Sequence, residues 1–278
     1  MTQPIHLGIS TCPNDTFAFH GLINKLVDWQ GLHFEIELLD IEELNKRLFV
    51  QGFDIAKASF HAAILLEEHY VVLPSGSALG FGVGPLLLAS DTNTVPKSRS
   101  QCVLCPGLHT TATLLYELFY RDVAEIQHVV FSQIMPKLKH NEADFGVCIH
   151  EGRFTWASEG LFLVEDLGVR WERETAAPLP LGGIVGRRAL GNDVLAVTQR
   201  VIRDSVLYGL ANPEKTLPTM RRYAQEFDDD VLMKHVKLYV NDWTVDLGVV
   251  GRQAIQELAR RTGQEFSGQQ KGLEVFCG

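Results

Sequence analysis

The sequence predicts an α/β protein of two lobes with a ligand cleft between them. Three observations predict it. Short apolar runs alternate with segments of helical periodicity in two separate series, the series are divided by stretches rich in glycine and proline, and 46% hydrophobic content over 278 residues is enough to fill two cores.

In the first series, residues 5–10 read as an apolar strand, Thr11-Cys12-Pro13-Asn14-Asp15 break it, and residues 16–27 have helical periodicity. Strand 34–39 precedes helix 41–50, and strand 53–58 leads into helix 60–68. This order predicts a mostly parallel sheet. Residues 76–85 are the most glycine-dense part of the chain, and an apolar strand over 86–89 follows them. A dinucleotide-binding loop needs its glycines between a strand and a helix N-terminus, so this stretch reads as a flexible or closely packed chain crossing.

After a polar stretch at 91–100, the second series runs as strand 102–105, loop 106–109, helix 110–120, strand 129–131, helix 134–140 and strand 145–149. Residues 178–186 read as a return crossing, and helices over 194–211, 213–225, 229–240 and 248–262 complete the chain. The expected division is a larger discontinuous lobe of residues 1–88 and 185–278 and a smaller inserted lobe of residues 98–175. The crossings, near 76–97 and 176–186, act as the hinge.

Composition narrows the function. With 25 basic against 34 acidic residues and no dense Lys/Arg run, the net charge of −9 argues against a surface that neutralises nucleic-acid phosphates. An anionic metabolite is still compatible, because donors and helix termini in a cleft set the local potential. The chain does not open with a basic region and a long apolar core, and no stretch reaches the length of a membrane span, which points to a cytoplasmic protein with no membrane partner. Five cysteines, scattered from Cys12 to Cys277, fit a reducing compartment better than a disulfide framework.

In open parallel sheets ligands gather beyond the carboxyl ends of the strands, so the strand-to-helix junctions at 11–16, 57–59, 107–111 and 150–153 are the first candidates. Asn14 and Asp15 stand at the first. Asp15 or Thr16, Ser59, and Thr110 or Thr111 each occupy a place where a helix N-cap is wanted. Each alone reads equally well as a plain cap; their recurrence predicts a polar pocket able to hold a carboxylate or a sugar hydroxyl. Lys57, a lone cation in Ile55-Ala56-Lys57-Ala58, either snorkels from a sheet edge or points at the ligand, and Ser59 at the strand end favours the ligand.

His150 ends the apolar strand 145–149. An imidazole exchanges protons near neutral pH and suits a general base, although a strand end can also carry a purely structural histidine. His109, beside Thr110, is the second candidate. Cys102 and Cys105 have the spacing of a metal or redox pair, but no Cys/His cluster accompanies them, and residues three apart on a strand face opposite sides. They read as buried thiols, with no metal or cofactor expected.

The run Ser10-Thr11-Cys12-Pro13-Asn14-Asp15-Thr16-Phe17-Ala18-Phe19 resembles the opening signature of the 1,4-dihydroxy-6-naphthoate synthase family of the futalosine route to menaquinone. Ordered blocks extend the resemblance along nearly the whole chain: Lys57 to Phe60, residues 76–85, Pro106 to Ala112, Ile149 to Thr155, Leu179 to Gly182, and Tyr239 to Asn241. The resemblance implies a two-lobed periplasmic-binding-protein-like (type II) fold used as an enzyme. It implies a carbon–carbon lyase that converts cyclic dehypoxanthinyl futalosine to 1,4-dihydroxy-6-naphthoate, with a base at His150 and substrate contacts at Lys57, Ala58, Ser59, Thr110, Thr111 and Ala112. Gly152 stands where a serine is expected in relatives, and Ala58 where leucine is common. Two other readings share the fold: a non-catalytic binding protein for a small carboxylate, and the sister enzyme chorismate dehydratase, whose opening lacks the Cys-Pro-Asn-Asp-Thr-Phe run.

Overall fold

A computed structural model describes residues 3–92, 94–150, 152–224, 228–266, 268 and 272–277. Its strands are β1 (Ile5–Ser10), β2 (Phe34–Leu39), β3 (Ile55–Ser59), β4 (Tyr70–Val72), β5 (Ala78–Gly80), β6 (Leu86–Ala89), β7 (Cys102–Cys105), β8 (Glu125–His128), β9 (Phe145–Cys148), β10 (Phe162–Asp166) and β11 (Leu179–Arg187). The helices are α1 (Pro13–Ala18), α2 (His20–Ile23), α3 (Ile41–Phe49), α4 (Phe60–Leu65), α5 (Thr111–Phe119), α6 (Phe131–Lys139), α7 (Gly152–Thr155), α8 (Leu167–Thr175), α9 (Asn192–Ala211), α10 (Pro213–Tyr223), α11 (Asp229–Tyr239), α12 (Asp242–Val245) and α13 (Gly248–Phe266).

The strands form two sheets. One has the order β2-β1-β3-β11-β4, with β5 also paired to β11; the other has the order β10-β6-β9-β7-β8. The chain therefore leaves the first sheet after β5 and re-enters it at β11. Strand β6, residues 86–89, belongs to the second sheet. The pairs β1–β2, β1–β3, β7–β8 and β7–β9 are parallel, as the alternating series implied. Strand β11 runs antiparallel to β3, β4 and β5, and β6 runs antiparallel to β9 and β10, so both sheets are mixed rather than mostly parallel. Strands β6 and β11 begin where the chain passes from one sheet to the other, so the βαβ rule, which relates successive strands of one sheet, does not set their direction.

Several element boundaries differ from the sequence reading. The first helix starts at Pro13, not residue 16, because proline lacks an N–H and has its φ already set for the first helical position. The strand expected at 129–131 lies at β8 instead, and Phe131 already opens α6. Strand β8 is mostly exposed, and its polar sequence hid it. The expected helix end at Gln225, and Glu151, lie outside the described residues.

Helix α9 packs Val201, Ile202 and Val206 against Leu7, Ile9 and Ile55 on one face of the first sheet. On the other side a single cluster runs from Ala56, Phe60 and Val185 through Leu79, Val83 and Leu179 to Leu87, Val103 and Phe145, so apolar packing continues across the crossings. The glycines of the first crossing allow a close approach: a Cβ on Gly84 would come within 2.2 Å of the Gly168 Cα at the start of α8. Close packing is what that glycine-dense segment serves here. Among the described residues, no helix is long and apolar enough to cross a membrane.

Candidate active site

A cavity of about 90 Å³ lies where the two sheets meet. Its walls come from the β1–α1 junction (Ser10, Cys12, Asn14, Asp15), the end of β3 (Lys57, Ser59), the start of α5 (Thr110, Thr111, Ala112), the end of β9 (His150), the middle of β11 (Leu181, Gly182), and α11 (His235, Tyr239). All four junctions singled out in the sequence converge here. Ala58 does not: it is fully buried in the main apolar cluster. His109 also stays off the cavity, its ring against Phe49 at 4.3 Å, and burial lowers its affinity for a proton.

The polar residues are largely committed to one another. Lys57 and Asp15 are only 4% and 3% exposed, and they form an ion pair at 2.7 Å; Lys57 Nζ also donates to the Gly76 carbonyl at 3.0 Å. An ammonium has three protons, so Lys57 spends two of them inside the protein rather than pointing wholly at a ligand. Asn14 donates to Asp15 at 3.0 Å and receives His235 Nε2 at 3.0 Å. Asp15 and Thr16 thus lie inside α1 and are not its cap; Thr16 donates back to the carbonyls of Cys12 and Pro13.

Ser59 occupies the N-cap position of α4 without capping it. Its hydroxyl and backbone N–H are held instead by the two ends of the Asn45 amide, each at 3.0 Å. Thr110 is a true cap, accepting the Thr113 N–H at 3.2 Å. Thr111 donates its hydroxyl to the Leu181 carbonyl at 2.6 Å, tying the helix of one sheet to the crossing strand of the other.

His150 adopts φ +56°, a left-handed backbone conformation that a non-glycine residue holds at a cost of about 1 kcal/mol. That turn brings its Nε2 to 3.4 Å from the Cys12 Sγ, with the ring edge-on to Phe131 at 4.7 Å and stacked on His235 at 5.9 Å. Arg153, in the next turn, clasps this segment to the first crossing: it donates to the Gly84 carbonyl at 2.6 Å and pairs with Asp166 at 2.7 Å.

Sequence reasoning missed Cys12 as a neighbour of His150, and it missed Asn45, His235 and Tyr239. The last two lie in a helix whose one motif, the block that opens at Tyr239, assigned no site residue, and only the fold brings His235 to Asn14. Cys102 and Cys105 face opposite sides, toward different apolar clusters, and burial raises both thiols.

Two sheets joined by extended crossings, with a polar cavity where strand ends and helix starts meet, define a protein of the periplasmic-binding-protein class. The solved structures agree. The alkanesulfonate-binding protein of Xanthomonas axonopodis pv. citri superposes with a TM-score of 0.69 at 11% identity, covering 99% of both chains, a likeness of fold alone. An Archaeoglobus fulgidus protein reaches 0.88 at 29% identity over 94% of this chain and 97% of its own.

Within that class the chain belongs to the menaquinone biosynthesis family, whose sequence model matches residues 5–264. Two relatives are 1,4-dihydroxy-6-naphthoate synthases. The one from Thermus thermophilus is 39% identical over 256 residues, 92% of this chain and 93% of the relative. The one from Streptomyces coelicolor is 35% identical over 266 residues, 94% and 93% respectively.

Proposed function

We propose that this chain is a carbon–carbon lyase of menaquinone biosynthesis that converts cyclic dehypoxanthinyl futalosine to 1,4-dihydroxy-6-naphthoate, with His150 as the proton acceptor. The observation that carries the reading is the convergence of His150 with Ser59, Thr111 and Ala112 on one cavity, in a chain whose relatives of nearly full length carry that activity in their names. A left-handed histidine supported by Phe131 and Arg153 is a group held in place at some cost, which is common at working sites. The reaction needs a proton acceptor and a clamp: once the carbon–carbon bond breaks, aromatisation of the product supplies much of the driving force.

The substrate-binding groups in this reading are Ser59 and the backbone N–H groups at the Thr111–Ala112 start of α5, since the Thr111 hydroxyl is already bonded to the Leu181 carbonyl. Asn14, Asp15 and Lys57 line the same cavity as a mutually bonded group. The partner is a small anionic metabolite rather than nucleic acid or membrane. Five free thiols fit a cytoplasmic setting.

Incubating the purified protein with cyclic dehypoxanthinyl futalosine and following 1,4-dihydroxy-6-naphthoate tests the activity directly; intact substrate, held but unchanged, would instead show a binding protein. His150→Asn keeps similar bulk but cannot accept a proton at neutral pH. Its turnover should fall by roughly 10²–10⁴ while substrate affinity changes much less. Near-normal turnover in that variant would place the base elsewhere.

A further inference from the structure

His235 stands on α11, is 2% exposed, and forms one wall of the cavity. Its ring stacks on His150 at 5.9 Å and tilts against Tyr239 at 4.5 Å. The hydrogen-bond chain behind it fixes which ring nitrogen carries the proton. Lys57 donates to Asp15 Oδ1 at 2.7 Å, and Asn14 Nδ2 lies 3.0 Å from the same oxygen. A carboxylate only accepts, so the amide nitrogen of Asn14 must be the end that faces Asp15. The amide oxygen then faces His235 Nε2 at 3.0 Å, and an oxygen there requires an N–H opposite it.

A ring protonated at Nε2 carries a bare lone pair at Nδ1 unless the ring is also charged. Burial, and the neighbouring His150, hold it uncharged, well below the ordinary histidine range. Among the described residues no hydrogen bond to Nδ1 accompanies the one at Nε2, and because His235 lines the cavity, a molecule bound there is the partner left for that lone pair.

We propose that His235 is a specificity-determining residue whose Nδ1 accepts a hydrogen bond from a hydroxyl of the substrate, with its tautomer set by the Asn14–Asp15–Lys57 chain. The proposal deepens the function proposed above and rests on it for the identity of the substrate. An acceptor that stays uncharged favours an O–H and disfavours both a hydrogen and a bare oxygen at the same place, since either leaves the buried lone pair unpaired or opposed. Ser59 and the start of α5 would then hold one end of the substrate, and His235 would select the hydroxyl-bearing part.

The test compares kcat/KM for cyclic dehypoxanthinyl futalosine with that for analogues in which one hydroxyl at a time is replaced by hydrogen. The wild-type chain should discriminate against one such analogue by roughly 10- to 100-fold, the size of one hydrogen bond to a buried partner. His235→Phe keeps a ring against His150 and Tyr239. It should lose activity on the parent substrate by a similar factor and discriminate between parent and analogue by no more than about threefold. If that variant slows every compound in the same proportion and keeps the discrimination, His235 only packs, and the proposal is overturned.

Nitrogen-15 NMR of the wild-type protein reads the tautomer without any variant or turnover. A pyrrole-type Nε2 and a pyridine-type Nδ1 are expected for His235, with Nδ1 shifting when the substrate binds to His150→Asn. A proton on Nδ1 would also overturn the proposal. Because this readout needs binding only, it separates a failure at His235 from a failure of His150 as the base.

Discussion

His235 gives the molecule a pH dependence whose sign follows from its surroundings. Burial first, and the neighbouring His150 second, hold its imidazole well below the ordinary value of 6.5. When the chain unfolds, the ring takes up a proton near that value, while the folded ring does not. The unfolded state therefore binds more protons as pH falls below 6.5, and the fold loses up to about 1.4 kcal/mol per pH unit from this residue, a loss absent at higher pH. Urea unfolding of the wild type and of His235→Gln between about pH 7.5 and pH 5.5 should show a shallower decline for the variant. Equal slopes would mean that the folded ring protonates freely. Thr111 offers a second measurement. Its hydroxyl is already bonded to the Leu181 carbonyl, so Thr111→Ala should cost about 1–2 kcal/mol of stability, and the effect on substrate affinity should come through the position of α5 rather than a lost ligand contact.

At the scale of elements, the clasp formed by Arg153, Asp166 and Gly84 joins three segments distant in sequence. Asp166 has two jobs: one carboxylate oxygen caps α8 at Gly168 and Val169, and the other holds Arg153. Asp166→Asn should keep the cap and weaken the clasp, whereas Asp166→Ala should lose both and cost about 1–3 kcal/mol in denaturant unfolding. If the two variants are equally stable, the cap contributes nothing.

The same scale shows what the sequence reveals. Strands β1, β2, β6 and β7 and the long C-terminal helices carry apolar runs or helical periodicity that make them legible. Strand β8 reads as loop because an exposed edge needs no alternation, and β4 is short enough to hide beside a helix. The candidate site was legible where it lies at strand ends, as with Ser59, Thr111 and His150. It was hidden where a helical residue reaches the cavity only through packing, as with His235 and Tyr239, or where an amide such as Asn45 braces a cavity-lining serine from behind.

For the whole molecule, the cavity of about 90 Å³ is small beside the roughly 300–1,000 Å³ common for sites that enclose a sizeable ligand. We infer that the two sheets belong to lobes that part to admit the substrate, turning at the segments between β5 and β6 and between α8 and β11. Small-angle scattering should then give a larger radius of gyration for the free protein than for the same protein with substrate bound to His150→Asn. An unchanged radius would argue for a rigid body with a different entrance.

Strand β11 imposes a timetable on the growing chain. It lies between β3 and β4, yet it is made only after every strand of the second sheet. Until residue 187 has left the ribosome, β3, the buried run Ile55–Ser59, exposes the edge that β11 will fill. An apolar unpaired edge is a template for pairing with other chains. Fragments that stop short of β11 should therefore be collected as aggregates or chaperone-bound species, and synthesis that stalls between the two sheets is the interval in which this protein is most exposed to loss.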